Sequence, residues 1–142
     1  MIAQKYTPLI ARTAIAIIFL NSGIGKLSNF GVTVEQIAGA GLPLAGLVTV
    51  CTIAFQLLGG VALILGYKAR IGSGLLLAFL IPATLVFHNP IADPTQMTQF
   101  LKNLAIIGGL LMVVAYGSGP MSLDNRLATA PAAAPYPEDS LQ

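Results

Sequence analysis

Four stretches of the chain are almost uninterrupted runs of apolar residues, and each stops where glycine, proline or asparagine appears. The runs cover about residues 9–27, 44–65, 71–87 and 100–116. A membrane-crossing helix needs roughly 20 mainly apolar residues, and each run approaches or reaches that length. Pro8 stands at the start of the first run, where its missing N–H costs nothing in a first helical turn. Gly41-Leu42-Pro43 leads into the second run and Gly66 closes it. His88-Asn89-Pro90 follows the third, and Gly117-Ser118-Gly119-Pro120 follows the fourth. These runs are apolar around the whole helix and have no amphipathic partner to bury them, which points to lipid as their solvent. The fold class expected is all-α, a polytopic membrane protein built as a four-transmembrane-helix bundle over residues 1–126. Residues 127–142, rich in Ala and Pro, are expected to form a flexible cytoplasmic tail.

Composition supports the same conclusion. Hydrophobic residues make up 56% of the 142 and charged residues 8%, against about 25% charged in average soluble domains. The mean hydropathy is +0.83. Too few charges remain to clothe a water-facing surface, which excludes a soluble enzyme and a disordered chain. A net charge of +2 without a basic cluster excludes nucleic acid as a partner. One cysteine and one histidine leave no internal disulfide, no CxxC pair and no metal site within the chain. Lys5 and Arg12 before an apolar run resemble the start of a secretory signal. No A-x-A site follows, however, so the first helix is expected to be retained.

The charges also orient the spans. With four crossings, Lys5, Arg12, Lys68, Arg70 and Arg126 share one side, and Lys26 and Lys102 share the other. The positive-inside rule then expects both termini to be cytoplasmic.

Polar residues inside such a chain must be hydrogen-bonded, snorkelling or functional. Thirteen residues separate Arg12 from Lys26, roughly 20 Å of helix in a hydrocarbon core of about 30 Å. Snorkelling toward opposite faces is therefore expected of Arg12, and Lys26 either snorkels or turns into the bundle. Near Lys26, at the outer ends of the spans, stand Asn21 and Ser22, then Thr84 and His88, then Lys102 and Asn103. Thr49, Thr52 and Gln56 form a polar stripe along the second span. The candidate pocket residues are Asn21, Lys26, Thr52, Gln56, Thr84, His88, Lys102 and Asn103. The same groups also suit interhelical hydrogen bonding, and both readings stand open. His88 suits proton acceptance or donation to a carbonyl, or simply wetting at the interface. Cys51, without a partner, is expected in lipid or helix packing. Gly59-Gly60, Gly72-Ser73-Gly74 and Gly108-Gly109 let helix backbones approach. Pro82 is expected to bend the third span and open space near Thr84 and His88. Asp124 is expected opposite Arg12, in an ion pair fixing the last loop.

The order Arg12, Phe19-x-x-Ser22-Gly23-x-x-Lys26, Gly41-Leu42-Pro43, Gly59-Gly60, Gly66, Arg70 and Gly117-Ser118-Gly119-Pro120-Met121-Ser122-Leu123-Asp124 resembles the DoxX family of small bacterial membrane proteins. The stretch Phe100-Leu101-Lys102-Asn103-Leu104-Ala105-Ile106 resembles one inner-membrane branch of it. The resemblance spans Pro8 to Arg126 and implies a four-helix protein of the bacterial inner membrane. The residues expected to carry structure are Arg12, Pro43, Gly59, Gly60, Arg70 and Asp124. The resemblance also implies, for some members, partnership with oxidoreductases acting on thiosulfate, thiols or quinones. Such proteins often carry an acid before the glycine pair, where this chain has Gln56, which cannot titrate.

The leading functional expectation is a membrane subunit or oxidoreductase partner binding a quinone or small aromatic in an outward-facing polar pocket. Lys26, His88 and Lys102 would polarise the carbonyl, and Gln56 and Thr52 would orient the ring. No cofactor is expected within the chain beyond a bound quinone. The alternative is a non-enzymatic assembly or stress-response protein acting through glycine-lined helix faces, with a homo-oligomer as one form of it. A small-solute carrier ranks third, because the bundle has no central acid.

Overall fold

The computed structural model describes residues 1–130, and most of the expected tail, residues 131–142, lies outside them. Six α-helices follow in order: α1 (Ile2–Ser28), α2 (Phe30–Gly39), α3 (Ala45–Leu65), α4 (Ala69–Phe87), α5 (Met97–Tyr116) and α6 (Leu123–Thr129). A single 3-10 turn, Pro94–Gln96, precedes α5. There is no strand among the described residues. α1, α3, α4 and the α5 segment are long and apolar enough to cross a membrane.

These four pack in sequence: α1 against α3, α3 against α4, and α4 against α5, with α5 touching α1 more lightly. Ala16, Phe19, Leu63, Leu76, Leu80 and Leu110 are core side chains of the bundle. Two glycines set the closest approach. A Cβ on Gly59 would lie 2.6 Å from Leu76 Cγ and 2.9 Å from the Gly72 carbonyl oxygen, and one on Gly72 would lie 2.7 Å from Ala62 Cβ. Outside this core, Ile17, Ile18, Ile24, Leu58, Leu85 and Met112 all stay exposed. Lipid solvates such a surface at no cost, whereas water would leave it a large apolar patch.

Two features of the helices differ from the sequence expectation. α1 begins at Ile2, with Pro8 inside it rather than at its start. Proline breaks one backbone hydrogen bond, to the carbonyl four residues back. Here that carbonyl belongs to Gln4, on exposed first turns of the helix. Pro8 also packs on the last loop, since a Cβ on Gly119 would lie 2.7 Å from its own Cβ. The second difference is α2. Its ten residues bury Thr33 and Ile37, one helical turn apart, and leave Phe30 and Val32 exposed. It packs chiefly on α3. The turn into α3 passes Gly41 at φ +79°, exposed Pro43 and Leu44 at φ +52°.

One end of the bundle is closed by a clasp. Arg12 does not snorkel: it is 1% exposed. Its Nη1 donates to the Leu63 carbonyl at 2.6 Å and its Nη2 to the Met121 carbonyl at 2.8 Å. Leu63 lies in the last turn of α3, so the guanidinium also meets the negative end of that helix. The expected Arg12–Asp124 pair takes another form. The Asp124 carboxylate accepts from the backbone N–H of Lys68 (2.7 Å) and Ala69 (3.1 Å) and from the Ser118 hydroxyl (3.2 Å). It thereby caps the start of α4 from the far end of the chain. Burial works against its charge, but the N–H groups of Ala69 and Lys68, the Ser118 hydroxyl and the charge of Arg12 hold it below the usual carboxylate range. The Asp124 N–H donates to the Gly66 carbonyl at 2.9 Å. Gly66 sits at φ +65°, and an added Cβ would meet Arg12 Nη1 and lie 2.5 Å from Ser122 Cβ. Arg70 stays exposed, with one long bond, 3.4 Å, to the Ala115 carbonyl.

Candidate functional site

The other end of the bundle is open. A cavity of about 950 Å³ lies there, with walls from α1, α2, α3, α4 and the segment before α5. Lys26 reaches it from the last turn of α1, where a cation is favoured by the helix dipole. Thr52 and Phe55 come from α3, Phe79 and Pro82 from α4, and His88 from just beyond α4. α2 forms part of the wall through Thr33, Gln36 and Ile37. Pro82 and Ala78, the residue whose carbonyl proline cannot satisfy, both face the cavity.

Lys26 is half-buried. Its ammonium donates to Ser22 Oγ at 2.5 Å and lies 5.9 Å from the centre of the Phe79 ring. Phe79 in turn meets Phe19 edge-on, with ring centres 6.4 Å apart. Behind Lys26, Gln56 is 2% exposed and donates from Nε2 to the same Ser22 oxygen at 3.1 Å. Its Oε1 is buried with no hydrogen-bond partner among the described residues. His88 Nδ1 pairs with Gln96 Oε1 at 2.9 Å. An amide oxygen only accepts, so in the neutral ring Nδ1 donates and Nε2 is left as an acceptor. Among the described residues, no carboxylate lines the cavity. Its electrostatic character is therefore a single cation among apolar and aromatic walls, with a few neutral hydrogen-bonding groups.

The sequence-predicted candidates divide into three groups. Lys26, Thr52 and His88 line the cavity, and Gln56 supports it from behind through Ser22. Thr84 and Asn103 are buried and bond to each other instead: Asn103 Nδ2 donates to Thr84 Oγ1 at 3.0 Å, and Thr84 donates to the Leu80 carbonyl at 2.7 Å. That link joins α4 to α5. Asn21 and Lys102 are exposed and form no part of the wall; the Lys102 ammonium bonds to Gln99 one turn before it. Thr49, also in the expected stripe, bonds back to the Ala45 carbonyl at 2.7 Å. Missed from sequence were the α2 residues, the His88 partner Gln96, and the place of Cys51: expected in lipid or helix packing, it is exposed and lines the cavity. The Phe30, Val34 and Ile37 spacing was the available signal for α2. Among the described residues, no three His, Cys, Asp or Glu side chains come together in a metal-binding group.

A bundle of four apolar helices closed by a polar clasp at one end and open to a cavity at the other defines a small polytopic membrane protein. The DoxX family model matches residues 7–89, more than half of the chain, and the chain belongs to the DoxX family. It is 29% identical to the inner membrane protein YqjF of Escherichia coli, over 84% of this chain and 90% of that protein. It is 28% identical to the inner membrane protein YphA of the same organism, over 87% of this chain and 92% of that one. A shorter similarity, 32% over 53% of this chain, links it to 26% of the ER-derived vesicles protein ERV29 of Saccharomyces cerevisiae. No solved structure matches the chain at a significant level.

Proposed function

We propose that this protein holds a small, largely apolar molecule bearing a carbonyl or anionic oxygen in the Lys26 cavity, a quinone or small aromatic being the matching class. In this role it is a membrane subunit or partner of an oxidoreductase system. The observation that carries the reading is the cavity itself: about 950 Å³, with aromatic walls and, among the described residues, one cation and no carboxylate. Ligand sites of this kind run about 300–1,000 Å³, mostly apolar with a few placed polar groups. Lys26 would donate to a quinone oxygen and stabilise the charge that reduction places there, an effect enlarged by the low dielectric of the site. Nε2 of His88 would accept from a hydroxyl of the reduced form. Phe55 and Phe79 supply faces for the ring. Electrons would come from the partner protein.

In this reading the protein sits in the bacterial inner membrane with both termini cytoplasmic. Five of the seven Lys and Arg residues belong to the Arg12 side, which the positive-inside rule makes cytoplasmic. The cavity then opens outward. Extraction of the protein purified from its native membrane, with mass spectrometry of the bound small molecules, tests the proposal. A quinone or related aromatic is expected in the wild type and much less in Lys26→Gln. Absence of any such molecule, together with no spectral change on adding a short-chain quinone, would overturn it.

A second reading, helix-face contact with another membrane protein, draws on one observation. Gly108 on α5 is exposed with nothing within 4 Å of an added Cβ, so its close-approach capacity is unused among the described residues. Gly108→Leu is expected to abolish function in this reading and to leave ligand retention unchanged in the first.

A further inference from the structure

The clasped end carries a second concavity, independent of the Lys26 cavity. A groove of about 700 Å³ lies where the start of α4 meets the segment after α5, lined by Lys68, Arg70, Ile71, Tyr116, Asp124 and Asn125 among others. Its shape follows from backbone geometry. Gly117 and Gly119 adopt φ values of +81° and +80°, which favour glycine, and the Arg70 guanidinium lies alongside Gly117, 3.6 Å from where a Cβ would stand.

The charges in the groove are unequal in their commitments. Asp124 already accepts from Lys68 N, Ala69 N and Ser118 Oγ. The Lys68 ammonium instead lies 5.7 Å from the Tyr67 ring centre, and the Arg70 guanidinium makes one long bond to a carbonyl. Among the described residues, no carboxylate accepts a hydrogen bond from either side chain. Two cations with donors to spare thus sit at the start of α4, beside the end of α5, where a membrane-crossing helix would meet headgroups. Beside them Tyr116 is 78% exposed and Ile71 is 62% exposed, an aromatic and an aliphatic surface at the ends of two membrane-crossing helices.

We infer that this groove binds the phosphate of an anionic phospholipid, with Lys68 and Arg70 as its donors and Ile71 and Tyr116 against its acyl chains. Arg suits the task because its planar fork matches phosphate oxygens, and basic pockets between helix ends recognise such headgroups. The phosphate chemistry alone would also suit a free anion. The lipid-facing apolar edge favours the phospholipid.

The test is a titration of the full chain in detergent, read by native mass spectrometry and by thermal unfolding, with phosphatidylglycerol, phosphatidylcholine and inorganic phosphate as probes. Phosphatidylglycerol is expected to bind and to raise the Tm, and phosphatidylcholine to do neither. Replacing Lys68→Gln and Arg70→Gln together should weaken phosphatidylglycerol about 10–30-fold, from roughly 1 kcal/mol per cation at the membrane surface. Lys5→Gln with Arg126→Gln removes the same charge from the same end outside the groove and should leave the affinity within about twofold. If the first double variant does not elute as a folded species, Lys68→Gln alone carries the test, with about a fivefold loss expected. Equal binding of the two lipids, or equal weakening by the two double variants, would overturn the inference. A Tm rise of the same size with inorganic phosphate alone would assign the groove to a soluble anion and overturn it as well.

Discussion

The two ends of the bundle use similar residues for opposite purposes. At the Arg12 end, a cation that the sequence places near the membrane boundary is withdrawn from lipid and water and bonded to two carbonyls on separate segments. At the Lys26 end, a cation in the same helix keeps only an intrahelical bond to Ser22 and faces an open cavity. The clasp engages the carboxylate of Asp124 with backbone N–H groups of the α3–α4 turn, whereas none of the described carboxylates lines the cavity. A polar group that satisfies loop backbone holds the fold. One left with donors beside apolar walls is available to a ligand.

Four substitutions grade that contrast. Arg12→Met should have the largest effect, because it strands the Leu63 and Met121 carbonyls: a loss of about 2–5 kcal/mol, seen as a large drop in Tm in detergent. Gly66→Ala comes next at about 2 kcal/mol, from left-handed strain and from the Cβ driven against Ser122 and Arg12. Asp124→Asn should cost about 1 kcal/mol, because its carboxylate is part exposed and the amide keeps one acceptor.

The same carboxylate sets a pH dependence. Its folded pKa is lowered, so its stabilisation is present in full above the unfolded value of about 3.9 and is lost as the pH falls through the folded one. The gap between melting curves of the wild type and of Asp124→Asn should therefore begin to narrow below pH 4 and close only once the pH has passed the lowered folded value, and a gap that did not narrow with falling pH would contradict the capping role. Lys26→Gln is the smallest in stability, under about 1 kcal/mol for one exposed-side bond and a cation–π contact, yet it should remove ligand retention. A stability loss matching that of Arg12→Met would erase the distinction between the two ends.

The four apolar runs were legible because lipid demands length and continuity, and glycine and proline mark their limits. That Lys26 and His88 share one end followed from counting crossings. α2 was not legible: ten residues fall short of a span, and a glycine at its second and last positions blurs its period. The burial of Arg12 depends on the Met121 carbonyl, 109 residues away, which no local pattern reports. Direction around a helix was equally hidden. Lys102 and Asn103 are neighbours in sequence, about 100° apart on α5, and only Asn103 turns inward. Asn21 and Ser22 part in the same way. Composition places polar residues at a level of the membrane, whereas the angle at which each helix packs decides which of them meet.

Cys51, the single cysteine of the chain, lines the Lys26 cavity, so its reactivity tests whether a ligand enters. The rate of Cys51 modification by N-ethylmaleimide should fall, saturably, as a short-chain quinone is added to the wild-type protein, and should not respond to it in Lys26→Gln. A rate independent of quinone in the wild type, or protection that survives the loss of Lys26, would contradict the assignment of that cavity as a binding site built around its one cation.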